Sequence, residues 1–227
     1  MRVIRWISVK VIRLATKLLL KVKAEGLERI PRSGPVILAV NHINFMDPLL
    51  IYAISPRPVI GLAKHELWAN PLTRLIAKSW GTIPVRRGEL DLHAMRRALQ
   101  TLQEGGVLGL APEGTRSHHG RLQQARSGIV LLALRAPDAL ILPMAVYGQE
   151  QFFKNLRRLR RTEVHVVIGR GFYLDPGVTK ITHKVRQEIA DAIMYQIAAL
   201  LPPEYRGVYQ NMAATLGRYL RFADEQQ

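Results

Sequence analysis

A chain of 227 residues with 48% hydrophobic content can bury one substantial core but is short for two domains of ordinary size. It has no cysteine, which excludes disulfides, a cysteine nucleophile and thiolate metal sites. The 33 Lys and Arg against 17 Asp and Glu leave a net charge of +16, which points to acidic partners; aromatic residues are only 7%, without the basic–aromatic interleaving of RNA-binding surfaces.

Residues 3–22 have helical periodicity. Ile4, Ile7, Val11, Leu14, Leu18 and Val22 share one face, and Arg2, Lys10, Arg13, Lys17 and Lys21 gather on the other. No acidic residue precedes Glu25. The pattern predicts a basic amphipathic helix over residues 1–24, of the type that lies flat on an anionic membrane surface. A surface helix packed on its own domain would carry the same periodicity. No stretch reaches the roughly 18 apolar residues that span a bilayer. The dispersed charges leave no clean apolar core of a signal peptide.

After Gly26 and Pro31, strands and helices alternate. Strands are predicted over residues 36–40, 59–63, 82–85, 107–111, 140–146 and 164–169. Helices are predicted over 49–54, 71–80, 92–103, 128–134 and 182–200, the third capped by Asp91 and ended by Gly105-Gly106. This alternation argues an α/β fold with a mainly parallel central sheet flanked by helices, over residues 25–201. Residues 157–161 form a basic cluster, read as a solvated face, and residues 202–227 are expected to be a helical tail. The sequence carries no signature of an oligomeric state.

In a parallel sheet, sites form at the carboxyl ends of strands. The strand over residues 36–40 releases Asn41-His42, and Asp47-Pro48 reads as a helix start with aspartate at the cap. Across the intervening turn His42 and Asp47 can meet. A carboxylate on one imidazole nitrogen fixes the tautomer and leaves the other nitrogen as a base. A plain helix cap beside a loop histidine fits the same residues. A second strand end delivers Arg86-Arg87. A third runs into Pro112-Glu113-Gly114-Thr115-Arg116-Ser117. Arginine forks match phosphate oxygens, Gly114 lets backbone N–H groups approach, and Thr115 and Ser117 add hydroxyls. A base beside a phosphate cradle suggests a phosphorylated acceptor whose hydroxyl is activated.

Other motifs fail. Residues 109–116 only approximate a P-loop, because the lysine is missing. There is no G-x-S-x-G elbow. His118-His119 lacks the H-E-x-x-H context and reads as solvated, so no metal site is expected.

Four segments in order carry a resemblance: Asn41-His42 with Asp47 five residues after the histidine, residues 81–87, Pro112 to Ser117, and Ile141-Leu142-Pro143-Met144-Ala145. They resemble the blocks of the glycerolipid acyltransferases, and are most similar to the bacterial 1-acyl-sn-glycerol-3-phosphate acyltransferases, over roughly residues 25–170. The chain departs from the family pattern at Arg86, where an acidic or other residue is common, and at Ala111, where an aromatic is common. The resemblance implies that His42 is a general base oriented by Asp47. It implies an acceptor-phosphate site of Arg87 (favoured over Arg86), Glu113, Gly114, Thr115 and Arg116, with Lys64 as a further contact. Glu113 would hold an arginine or lysine in place. Asn41 belongs to the first block, and Pro143 to a block associated with the acyl donor or, equally, to a strand bend.

The implied reaction transfers an acyl group from an acyl carrier protein or coenzyme A thioester to lysophosphatidate, giving phosphatidate. It uses no other cofactor and no metal. The implied setting is peripheral, at the cytoplasmic face of the cell membrane, with no nucleic acid as partner. Glycerol 3-phosphate or another lysophospholipid is the alternative acceptor. From a different class, a non-enzymatic basic protein binding membrane or nucleic acid would share the charge but not the His42–Asp47 and Glu113–Ser117 pattern.

Overall fold

The computed structural model describes residues 2–86, 91–117, 119–177, 181–214 and 217–226. The helices are α1 (Arg2–Leu19), α2 (Met46–Ile54), α3 (Pro71–Ser79), α4 (Leu92–Gln103), α5 (Gly128–Arg135), α6 (Phe152–Leu156) and α7 (His183–Ala199). The strands are β1 (Leu20–Glu25), β2 (Val36–Val40), β3 (Val59–Lys64), β4 (Ile83–Val85), β5 (Val107–Leu110), β6 (Leu140–Tyr147), β7 (Thr162–Ile168), β8 (Phe172–Leu174) and β9 (Leu220–Phe222).

The strands form one sheet in the order β1-β7-β6-β2-β5-β3-β4. The five strands β6, β2, β5, β3 and β4 run parallel, as the alternation with helices requires. β7 then turns antiparallel to β6, and β1 lies parallel to β7 at the edge. Successive side chains of β2 point to opposite faces. Ile37 and Ala39 enter an apolar layer with α4, α5 and α7; Val36, Leu38 and Val40 enter a second layer with α2. All five are buried, which explains the uninterrupted apolar run. Helix starts obey local chemistry. Asn70 accepts from the N–H groups of Leu72 and Thr73 at α3, and Asp91 accepts from Ala94 N–H at α4.

Two expectations need correction. The first helix stops at Leu19, and residues 20–25 are not its last turns but the edge strand β1, paired with β7. Leu20-Lys21-Val22-Lys23 also alternates with period two, and Val22 satisfies both periods. Pairing with Val164 settles the choice. Residues 1–24 are therefore no separate unit. α1 rests on α2 and α3: Trp80 Nε1 donates to Ser8 Oγ at 2.7 Å, and Arg13 Nε donates to the Ala53 carbonyl at 3.0 Å. Ile4, Val9 and Ile12 are half-buried, while Val3, Trp6, Ile7, Val11, Leu14 and Leu18 remain exposed. Among the described residues no helix is long and apolar enough to cross a membrane.

The tail is the second correction. Pro202-Pro203 ends the helical run, because proline removes the N–H and blocks the preceding turn. The chain then makes a series of single 3₁₀ turns, forms β9, which pairs with β8, and makes one more 3₁₀ turn over Ala223–Gln226. Tyr209 fixes this tail to the body, donating to Asp191 Oδ1 at 2.7 Å and accepting from Ala125 N–H at 2.9 Å.

Candidate active site

The parallel strands bring β2, β5 and β6 to a common carboxyl edge. At the end of β2, Asn41 is 1% exposed and its amide bonds both ways with Val146 of β6: Nδ2 donates to the carbonyl and Oδ1 accepts from the N–H, each at 2.8 Å. The side chain thus adds one rung to the sheet and fixes where the chain leaves it. His42 comes next.

Asp47 is 2% exposed and is not a helix cap. The cap position of α2 is Phe45, with no side-chain bond, and Pro48 sits in the first turn, where a missing N–H costs nothing. Asp47 instead closes the turn from inside. Its Oδ2 accepts from Ile43 N–H and Asn44 N–H, both at 2.8 Å, and lies 2.8 Å from His42 Nδ1. Its Oδ1 accepts from Gln149 Nε2 at 2.8 Å. Every group facing the carboxylate is a donor, so His42 turns an Nδ1–H to it and leaves Nε2 on the far side of the ring.

The loop after β5 braces the same histidine. Glu113 is 2% exposed; Oε1 accepts from His42 N–H at 3.0 Å and Oε2 from Gln123 N–H at 2.9 Å. Burial pushes its carboxyl pKa up from the ordinary value, and the N–H donors only partly offset this. Ser117 N–H donates to the His42 carbonyl at 2.7 Å. The expectation that Glu113 holds an arginine or lysine is therefore corrected: it is turned inward and holds two peptide N–H groups, which satisfy a buried carboxylate without any cation. Gly114 has φ +71°, and a Cβ there would stand 2.7 Å from Arg126 Cδ. The glycine lets the Arg126 side chain lie across the loop.

A cavity of about 510 Å³ has His42 and Asp47 in its wall. The rest of the wall is mostly apolar: Ile51 and Tyr52 from α2, Ile76 from α3, Met95 from α4, Ile129 and Leu132 from α5, with Trp80. The Tyr52 and Trp80 rings pack with centroids 4.2 Å apart, and burial raises the Tyr52 phenol pKa. Besides the His42–Asp47 pair, the charged wall residues are Arg86, Asp91 and Arg126, with Gly114 beside Arg126. The Arg126 guanidinium has no hydrogen-bond or ion-pair partner among the described residues.

Several predicted site residues stand elsewhere. Arg87 lies outside the described residues, as does His118. Arg116 and Lys64 are exposed and are not part of the cavity wall, and Thr115 is half-buried nearby. Pro143 is buried inside β6, away from the cavity. Its missing N–H falls opposite the break between β7 and β8, where its carbonyl accepts from Gly169 N–H at 2.8 Å. That position suits a residue without an N–H. Sequence reasoning missed Arg126 and Gln149. Gln149 lies 102 residues from its Asp47 partner, and Arg126 is one of many arginines, so neither carried a local signal. Among the described residues no cluster of His, Asp and Glu could hold a metal ion.

An imidazole Nε2 turned away from the carboxylate, a mostly apolar cavity and two arginines in its wall can serve proton abstraction from a hydroxyl on an amphipathic, anionic molecule. Comparison with known proteins agrees in kind. The family model described as acyltransferase matches residues 21–147, from β1 to the end of β6. A 1-acyl-sn-glycerol-3-phosphate acyltransferase of Borreliella burgdorferi is 34% identical over 140 residues, covering 60% of this chain and 56% of that protein. A lyso-ornithine lipid O-acyltransferase of Pseudomonas aeruginosa is 30% identical over 171 residues, covering 68% of this chain and 64% of that protein. The chain thus spans less than two thirds of the length of these relatives. The crystal structure of the 1-acyl-sn-glycerophosphate acyltransferase PlsC from Thermotoga maritima shares the fold, with a TM-score of 0.63 at 22% identity, covering 86% of this chain and 79% of that one. With more than half its length matched by the model, and the His42–Asp47 turn and the Glu113 loop inside the match, this chain belongs to the acyltransferase family.

Proposed function

We propose that the protein transfers an acyl group from a thioester, carried on acyl carrier protein or coenzyme A, to the free hydroxyl of 1-acyl-sn-glycerol 3-phosphate, giving phosphatidate. His42 Nε2 takes the hydroxyl proton as the oxygen attacks the thioester carbonyl. The tetrahedral intermediate then collapses, the C–S bond breaks, and the imidazolium returns the proton to the leaving thiolate. Asp47 stabilises the imidazolium and holds its orientation. The thioester is already activated, so no prosthetic group is required and no acyl-enzyme forms.

The observation that carries this reading is the His42 Nδ1–Asp47 Oδ2 contact of 2.8 Å in the wall of a 510 Å³ apolar cavity. That volume lies within the ~300–1,000 Å³ range of small-molecule sites and suits an acyl chain. In this reading Arg126 and Arg86 of the cavity wall meet the acceptor phosphate, with Arg116 as a further candidate. The outward apolar stripe of α1 supports a peripheral position on a membrane surface, which in this reading is the cytoplasmic face. The test is to incubate the full chain with lysophosphatidate and either thioester, tracking phosphatidate and released thiol together. Absence of both products with both donors would refute it.

A second acceptor class has support of its own. The relative from Pseudomonas aeruginosa is named for a lyso-ornithine lipid. Competing that acceptor against lysophosphatidate gives a ratio of kcat/KM values, and a ratio favouring the ornithine lipid would move the wall arginines away from a phosphate role.

A further inference from the structure

We infer that the turn from Phe152 to Arg161, together with Phe45, is a second lipid-contact element that sets the His42 edge against an anionic bilayer. This rests on the proposed reaction at a membrane surface, but on different residues.

Residues 152–162 contain five basic side chains and no acidic one: Lys154, Arg157, Arg158, Arg160 and Arg161. Lys154, Arg157, Arg158 and Arg160 make no side-chain hydrogen bond or ion pair among the described residues. Residues 156–161 are exposed without interruption, so the turn projects from the body. Apolar side chains are interleaved with the charges. Phe153 is 54% exposed and Leu159 is 95% exposed. Leu159 also has φ +52°, and among the described residues it is the non-glycine with positive φ. That conformation is the left-handed end of the α6 C-cap, in which Leu159 N–H donates to the Leu156 carbonyl at 3.0 Å and Arg160 N–H to the Asn155 carbonyl at 2.9 Å, and the Leu159 side chain is left in the open.

The position of the turn gives the contact its meaning. Phe153 stacks on Phe45 with ring centroids 5.9 Å apart, and Phe45 belongs to the turn between His42 and Asp47. On the other side Arg161 donates to the Lys17 carbonyl at 2.9 Å and to the Leu20 carbonyl, so the turn is tied to the C-terminal end of α1. The exposed stripe of α1 ends there, at Leu14 and Leu18. One continuous surface therefore runs from α1 through the basic turn to the catalytic edge. Guanidinium groups reach lipid phosphates while Phe and Leu sink beneath them, the arrangement of an interfacial segment. A projecting turn offers no groove for a partner's side chains, which favours a lipid surface over an acidic carrier protein.

The chain has no cysteine, so Leu159→Cys places a single environment-sensitive fluorophore on the turn. On phosphatidylcholine vesicles containing phosphatidylglycerol, the label should shift to the blue and be quenched by a quencher buried in the acyl region. A label that keeps its aqueous emission while the protein co-sediments with those vesicles overturns the proposal. In the unlabelled full chain, Arg157→Gln, Arg158→Gln and Arg160→Gln combined should lower partition onto the anionic vesicles about a hundredfold, at roughly a factor of five per charge removed near such a surface. Partition onto pure phosphatidylcholine, the melting temperature and turnover of a short-chain soluble acceptor should stay as they were. Unchanged partition onto anionic vesicles refutes the inference. Unchanged partition with loss of transfer from acyl carrier protein alone refutes it too, and assigns the turn to that partner. The vesicle readouts need no turnover, so they judge this proposal even if the proposed reaction fails.

Discussion

Replacing Asp47 by asparagine isolates the charge of the carboxylate from its geometry. Ile43 N–H and Asn44 N–H both point at Oδ2, so they select the amide oxygen for that position, and His42 Nδ1 keeps an acceptor. The amide nitrogen then falls at Oδ1, facing Gln149 Nε2. Gln149 Oε1 is buried and has no partner, so a flip of the Gln149 amide turns that donor–donor clash into a hydrogen bond. The turn should survive and the tautomer should be kept. The anion beside the imidazolium that the proposed transfer would form is lost. Two unit charges about 4 Å apart at an effective dielectric of about 20 interact by roughly 4 kcal/mol, which corresponds to about a thousandfold in kcat. The assay is the initial rate of phosphatidate formation with both substrates saturating, alongside thermal melting. A variant within tenfold of wild type at an unchanged melting temperature would show that Asp47 is not needed as a charge.

The other expectations concern the loop, the cavity wall and α1. Gly114→Ala forces a Cβ to within 2.7 Å of Arg126 Cδ at φ +71°; the conformation alone costs about 1–2 kcal/mol, so melting should fall and the acceptor KM should rise together. Arg126→Ala should raise the acceptor KM and leave the donor KM, with Arg126→Lys recovering only part, since an ammonium cannot make the bidentate contact; equal changes in both KM values would take Arg126 off the acceptor. Glu113 has a raised folded pKa, so its folded state holds the proton more tightly. Its contribution to stability is present below the ordinary value of 4.5 and lost as pH rises through the folded pKa. The difference in unfolding free energy between wild type and Glu113→Gln, measured in urea at stepped pH, should fall with rising pH across that window; a rising difference would contradict the burial argument. Deleting residues 1–19 strips Trp80 Nε1 and the Ala53 carbonyl of their partners, at roughly 1–3 kcal/mol for each buried group left unpaired. Melting and activity on soluble and vesicle-borne acceptors should all fall; unchanged melting would mean the helix is merely attached.

The fold is legible in the sequence wherever one period rules. β2 and α4 lie where apolar runs and caps place them, because a fully buried strand and a capped amphipathic helix each have one good solution. Residues 20–25 have two. Val22 continues the helical stripe from Leu18 and also alternates with Lys21 and Lys23, and only the open edge of β7, far along the chain, decides between them. The short elements after β6 escape sequence reading for a related reason. β8 and β9 are three residues each and exist because they find an edge, not because their own sequence insists on a strand.

The site divides along the same line. His42 and Asp47 are five residues apart, so turn geometry alone lets their meeting be foreseen. The groups that hold the turn in place stand 71 to 105 residues from their partners and give no local signal of that role. Glu113 reads as part of a phosphate site because it stands among a glycine, a threonine and an arginine, a polar loop by composition. Burial reverses that. A carboxylate at 2% exposure needs donors, the nearest are the His42 and Gln123 N–H groups, and binding them turns it away from any anion. Composition cannot distinguish a loop that meets ligand from a loop that braces the residue which does, because both are polar and glycine-containing. The distinction lies in which side chains the sheet edge covers. Here it buries Glu113, so the block that resembles a phosphate cradle supplies a brace behind the histidine, while the exposed arginine of the cavity wall, Arg126, comes from farther along the chain.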